Sequence, residues 1–143
     1  MKNFLQMKFF PANTDVALLA LRITAALSLF IKHGIEKAFT FSAMVRTFPD
    51  PIGIGRGPSL FIAMIGDSIC SVLMVIGLGT RWAALISFTN IMVAWILVHH
   101  FAYLGKNPIA GHGELIVLYL SVTLTLFFAG PGKYSIDNLI DRS

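Results

Sequence analysis

The stretch VALLALRITAALSLFIKHGIEKAF, Val16 to Phe39, decides the fold. It is long and apolar enough to cross a bilayer, yet it carries Arg22, His33, Glu36 and Lys37. A charge near the centre of a span costs at least about 2.5–3.5 kcal/mol, so each one needs a partner, a watery cavity or a route to the headgroups. The same pattern recurs along the chain. Asp67 lies inside a second apolar stretch, His99 and His100 close a third, and Glu114 opens a fourth. The reading is an integral membrane protein with a polar site between its helices.

Composition agrees. Of 143 residues, 56% are hydrophobic and 13% charged, and mean hydropathy is +0.77. A soluble domain has about 25% charged residues, so most of this surface does not face water. The net charge of +4 points to no nucleic acid, because Lys and Arg are scattered around apolar segments and form no patch. They read as membrane-edge anchors. The single cysteine, Cys70, excludes an internal disulfide and a CxxC dithiol.

Four spans are expected, at about Val16–Phe39, Leu60–Leu78, Trp82–Phe101 and Glu114–Ala129. Thr14 or Asp15 is the expected N-cap of the first, and Pro11 stops anything earlier. Met1 to Phe10 lacks the long apolar core of a cleavable leader. Its Phe4, Leu5, Phe9 and Phe10, with Lys2 and Lys8, suit a segment at the headgroups. A short interfacial helix is expected over Ala43–Phe48, and a short amphipathic one over 135–141 with Ser135 as its cap. Trp82 and Tyr103 are placed as interfacial aromatics. Short links favour antiparallel neighbours. The expected fold is therefore an all-α, four-transmembrane-helix antiparallel bundle in one domain, residues 1–143. The distribution of Lys and Arg favours both termini in the cytoplasm.

Helical spacing decides which polar residues can meet. Arg22, Ala26, Leu29, His33 and Lys37 share one face of the first span. Asp67 lies about 12 Å into the second span, among Ala63, Gly66, Cys70 and Ser71, small residues that let helices approach closely in lipid. Glu114, Leu118, Ser121 and Thr125 form a stripe on the fourth. Asn90 and His99 fall on nearly opposite faces of the third and cannot share a site unless the helix bends. Asn90 and Cys70 read as packing residues. In an up-down bundle His33, Lys37, Asp67, His99 and Glu114 lie in the half of the bilayer away from the termini, and Arg22 lies near the terminal side. Each has a bland reading. Arg22 can snorkel, Glu36 and His100 suit the headgroups, and Lys37 with Asp67 can be a purely structural ion pair.

The chain resembles the DoxX family of small four-helix membrane proteins. The pieces that carry this are Leu21-Arg22; Lys32-His33-Gly34-Ile35-Glu36-Lys37; Gly77-Leu78-Gly79-Thr80-Arg81-Trp82-Ala83-Ala84; Met92-Val93-Ala94 with His99; Gly111-His112-Gly113-Glu114; and Gly130-Pro131-Gly132-Lys133-Tyr134-Ser135-Ile136-Asp137. The family pattern has HG-x-x-K ending the first helix (His33, Gly34, Lys37), a carboxylate in the second, a histidine ending the third (His99), and G-x-E opening the fourth. Its second-helix carboxylate is usually Glu. Asp67 keeps the charge and shortens the reach by one methylene. The resemblance implies kinship with membrane subunits of thiosulfate:quinone oxidoreductases and with members tied to redox stress.

The leading functional expectation is a quinone-linked redox component of a bacterial cytoplasmic membrane. Asp67 and His99 are its candidate catalytic residues. Arg22, His33, Lys37 and Glu114 are its candidate quinone-binding residues. No haem, flavin or iron–sulfur motif is visible, so electrons would come from a bound quinol, a substrate, or a partner redox subunit. Two further expectations stand beside it. One is a non-catalytic scaffold within an oxidoreductase or stress-response complex, alone or as a homo-oligomer. The other is a divalent-metal site made by His33, Asp67, His99 and Glu114, which Lys37 in the same region opposes.

Overall fold

Helix α1 runs Thr14–Phe39, long enough to cross a bilayer at a tilt. Asn13 caps it, not Thr14 or Asp15: the Asn13 side chain accepts from the Val16 N–H at 3.1 Å. Asp15 sits in the first turn and accepts from the backbone N–H of Lys133 at 2.8 Å. The protein is seen here as a computed structural model that describes residues 12–101 and 113–143. The expected N-terminal interfacial segment, Tyr103 and residues 102–112 between the third and fourth spans lie outside these residues.

After α1 comes a single short turn of helix, α2, at Phe41–Met44, earlier and shorter than expected. Helix α3 spans Arg56–Ile76 and α4 spans Thr80–Val98. Helix α5 covers Gly113–Ala129, and α6 covers Ile136–Ile140. Ser135 caps α6 as expected, accepting from the Asn138 N–H at 3.2 Å. No strand occurs among the described residues.

Helix α3 starts four residues earlier than the sequence pattern indicates. Asp50 is the reason. Its carboxylate accepts from the N–H groups of Ile54 and Gly55 and from the Ser59 hydroxyl, at 3.1, 2.8 and 2.8 Å. That ties the linker to the first turn of α3. Gly55 enters the helix at φ 101°, open only to glycine, and Pro58 sits within the first turn, where no N–H is required. Helix α3 ends where Gly77 turns left-handed, and α4 begins three residues later.

Helices α1, α3 and α4 are each long and apolar enough to span a membrane. Helix α5 is equally apolar but has 17 residues, a length of about 25 Å. The four rods close a ring: α1 packs on α3 and α5, and α4 packs on the same two. Neighbours are antiparallel, since Arg22 near the start of α1 meets Gly77 at the end of α3, and Leu18 meets Gly132 just past α5.

The usual solubility pattern is inverted. Arg22, Asp67, Ser71, Thr80, Ser87 and Thr123 are buried, while Ile31, Phe61, Ile69, Leu118 and Phe128 point outward. Lipid cannot solvate polar groups, so they go inside and the greasy side chains face the acyl chains. Trp82, 72% exposed at the start of α4, suits the interface, as expected. Leu18, Ala26, Met74, Ala84 and Leu126 form the core layer nearer the termini, and Leu29, Ile91, Tyr119 and Leu120 form the layer below the polar site.

Candidate functional site

Each of the three long helices contains one π-helical turn: Phe30–Gly34 in α1, Ile65–Ile69 in α3 and Ala94–Val98 in α4. Such turns are rare and concentrate at functional sites, because the extra residue re-aims the side chains around it. Here they hold His33 and Asp67 and immediately precede His99.

Close approach of the helices builds the rest. Gly34 lies against the backbone of α3, where an added Cβ would stand 2.7 Å from the Asp67 carbonyl oxygen. Ser68 donates across this contact to the Gly34 carbonyl at 3.0 Å. Gly66 lies against Asn90, where a Cβ would stand 2.9 Å from that side chain, and Ser87 donates to the Gly66 carbonyl at 2.8 Å. The small-residue face around Asp67 thus does what its composition implies.

Asp67 is 7% exposed. Lys37 donates to Oδ2 at 2.7 Å as an ion pair, and Asn90 donates through Nδ2 to Oδ1 at 2.9 Å. A buried carboxylate with donors on both oxygens is the condition under which a charge is tolerated in a membrane protein. A cavity of about 140 Å³ opens beside this group, lined by His33, Lys37, Asp67, Asn90, His99 and Tyr119. The Tyr119 ring stands edge-on to His33, with centroids 6.3 Å apart, and its hydroxyl pairs with the Ser28 hydroxyl at 2.9 Å. Leu29 and Ile116 add apolar wall.

Four of the six residues singled out from sequence therefore meet: His33, Lys37, Asp67 and His99. Two do not. Glu114 is exposed and does not line the cavity; Ile116 and Tyr119 represent α5 there. The stripe of Leu118, Ser121 and Thr125 also faces outward. Ser121 and Thr125 satisfy their hydroxyls on the carbonyls four residues back, both at 2.8 Å, so they can face lipid. Arg22 lies eleven residues before His33, about 16 Å along the helix. It neither snorkels nor joins the cavity. It is 1% exposed and donates to the carbonyls of Pro131 and, at 2.6 Å, Tyr134. The metal alternative loses Glu114 from its set, and no group of three His, Cys, Asp or Glu side chains among the described residues is placed to hold an ion.

Two contributors were missed. Asn90 reads as packing in the sequence, yet it donates to Asp67. Tyr119 drew no attention, although a tyrosine between apolar helices needs a partner for its hydroxyl. A mid-span asparagine on the helix next to a mid-span aspartate was the available signal.

The fold and the site together define a class: a helical membrane protein with a polar cavity near one end of its bundle. The chain belongs to the DoxX family, whose family model matches residues 17–100. It is 34% identical over 122 residues to an uncharacterized protein of Haemophilus influenzae, covering 82% of this chain and 86% of that one. It is 33% identical over 134 residues to a second uncharacterized protein of the same organism, covering 91% and 87%. No solved structure matches it.

Three of the motif pieces meet away from the cavity. Asp137 accepts from the N–H groups of Gly79 and Thr80 at 2.7 and 3.0 Å, capping α4, and its own N–H donates to the Gly77 carbonyl at 2.9 Å. Arg22 holds the turn between α5 and α6 from the other side. These residues tie the terminal end of the bundle together.

Proposed function

We propose that this DoxX family protein is a quinone-linked redox component of a bacterial cytoplasmic membrane, and that the polar cavity holds the quinone ring. The observation that carries this reading is volume joined to chemistry. A cavity of about 140 Å³ is close to the roughly 150 Å³ that accommodates one benzene ring. Its walls offer two imidazoles, an ammonium, an amide and a phenol within one small space. Imidazoles exchange protons near neutral pH. A bound quinone supplies two-electron, two-proton chemistry, and the chain's own residues bind, orient and move protons. His33 and His99 are the proposed proton carriers. Lys37, Asp67 and Asn90 form the fixed wall that orients the ring. Electrons enter or leave through a partner.

The reading extends to topology. Helix α5 is taken as a fourth span, because it is apolar throughout and packs along α1 and α4. Its about 25 Å falls a little short of the ~30 Å hydrocarbon core, a mismatch a bilayer absorbs by local thinning. The whole chain is then one domain with both termini cytoplasmic and the cavity in the opposite half of the membrane.

A scaffold reading has one observation in its favour: both oxygens of Asp67 already have donors, as a register lock would require. Mass spectrometry of an organic extract of the purified protein, run beside Asp67→Asn, separates the two. A stoichiometric quinone in the parent that is lost in the variant supports the redox component. Identical extracts holding only bulk phospholipid favour the scaffold.

A further inference from the structure

The ring-sized cavity and a second, larger groove share a wall. Tyr119 lines the cavity on one side, and also lines the groove of about 360 Å³ between α1 and α5. Leu21, Thr24, Ala25 and Ser28 form the α1 side, and Leu118 and Val122 stand opposite. From Ser28 to Leu21 the groove descends seven residues, about 10 Å, away from His33 and toward the middle of α1. Thr24 and Leu118 are exposed, so it opens sideways to the acyl chains.

Its surface suits an apolar chain. Ala25 leaves the inner wall shallow. The Thr24 hydroxyl is engaged by the Ala20 and Leu21 carbonyls at 2.7 and 3.3 Å, and the Ser28 hydroxyl by Tyr119. A hydrocarbon lying there strands no polar group. The depth is also right, because a molecule with its ring among His33, Lys37 and Asp67 has its remaining length directed toward the bilayer interior.

We propose that the α1–α5 groove is the tail channel of the same ligand: one lipid-soluble molecule, its hydrogen-bonding ring in the cavity and its apolar tail passing Tyr119 into the groove. This rests on the ring-binding role proposed above. Tyr119 is then a positioning residue that marks where head ends and tail begins. Lateral entry follows, so the ligand need not cross an aqueous phase.

Tail recognition in a membrane is modest, because lipid is as apolar as the groove and only packing distinguishes them. A handful of extra close contacts corresponds to roughly fivefold. The test uses the full chain in lipid nanodiscs and two benzoquinones with the same ring, one tail-less and one with a long alkyl tail. Affinities are expressed per concentration in the bilayer, so partitioning cancels. In the parent the tailed compound binds about fivefold more tightly. Ala25→Trp fills the groove and brings the ratio to about one, and Thr24→Trp does the same from an exposed position should the first variant fail to fold. Ile86→Trp, on the outer face of α4, keeps the parent ratio. Equal affinities in the parent, or a ratio that neither filler changes, overturns the tail channel and leaves the ring site standing. If neither compound binds the parent, the ring site falls and the channel with it.

Discussion

Asn90 donates from α4 to Asp67 of α3 at 2.9 Å, so the amide of one span completes the solvation of a carboxylate in the next. The bond ties two helices at the depth of the cavity. Asn90→Leu keeps the approximate shape and removes the donor. An unsatisfied buried acceptor costs about 1–3 kcal/mol. Unfolding followed by circular dichroism in detergent should show that loss. An unchanged midpoint would mean that the bond contributes nothing net.

Lys37 and Asp67 form a buried ion pair, with side chains 13% and 10% exposed. Removing one partner leaves an uncompensated charge, so Lys37→Met should cost about 3–5 kcal/mol. The double variant Lys37→Met/Asp67→Asn leaves no stranded charge and should lie well above the sum of the single losses. If the double variant regains stability without regaining quinone, the pair has a ligand role. If it regains both stability and function in the cell, the pair is structural.

Gly34 permits the closest contact in the site. An alanine there would place Cβ 2.7 Å from the carbonyl oxygen of Asp67, a backbone atom with no rotamer to yield. Gly34→Ala should therefore force α1 and α3 apart, break the Ser68 bond to the Gly34 carbonyl, and cost about 1–3 kcal/mol. Gly79, where a Cβ would meet nothing, is the spatial control, although its φ of 56° disfavours any side chain. A thermal midpoint within error of the parent for Gly34→Ala would contradict the packing.

Much of this was legible in the sequence. The apolar stretches located the long helices, and the HG-x-x-K ending with a mid-span aspartate located the cluster, because charge in lipid demands a partner. The phase of α4 was not legible. Nine residues separate Asn90 from His99, which in an uninterrupted α-helix puts them about 180° apart. The π-turn at Ala94–Val98 adds one residue to a turn, which withdraws about 100° and lets both line one cavity. Nothing in Ala-Trp-Ile-Leu-Val announces that turn, since it contains neither Gly nor Pro. Glu114 failed for a different reason. Spacing puts it in one stripe with Ser121 and Thr125 but does not say which way the stripe faces, and hydroxyls that bond their own helix can face out. The sequence leaves Arg22 open between snorkelling and a site role, because its acceptors are backbone carbonyls more than a hundred residues away, which no local pattern reveals.

Arg22 makes the terminal end of the bundle cohere. Arg22→Leu leaves the Pro131 and Tyr134 carbonyls without their charged donor, a loss of about 3 kcal/mol. The turn between α5 and α6 should loosen. Lys133 lies exposed in that turn, so limited trypsin digestion should cut there faster in the variant than in the parent. The cavity lies about 16 Å along α1 from Arg22, so ligand content per folded molecule should not change. Equal digestion rates would show that Asp15 and Asp137 hold the turn without Arg22.

Asp50 predicts a pH dependence outside the membrane. The Ser59 hydroxyl, followed by the N–H groups of Gly55 and Ile54, holds its carboxyl below the ordinary value of 3.8. A depressed folded value means that the unfolded state takes up the proton first as pH falls. The stabilisation of the linker is therefore complete above the unfolded value, near 3.9, and fades as pH drops through the lower folded one. Hydrogen exchange of the Ile54 and Gly55 amides, corrected for intrinsic rates, should show protection that is steady from neutral pH to about 5 and lost only in stronger acid. Asp50→Asn cannot carry the charge and should show weaker protection at neutral pH with no acid transition. Protection in the parent that is already lost at pH 5, or a transition that survives in Asp50→Asn, would assign the clamp to another group.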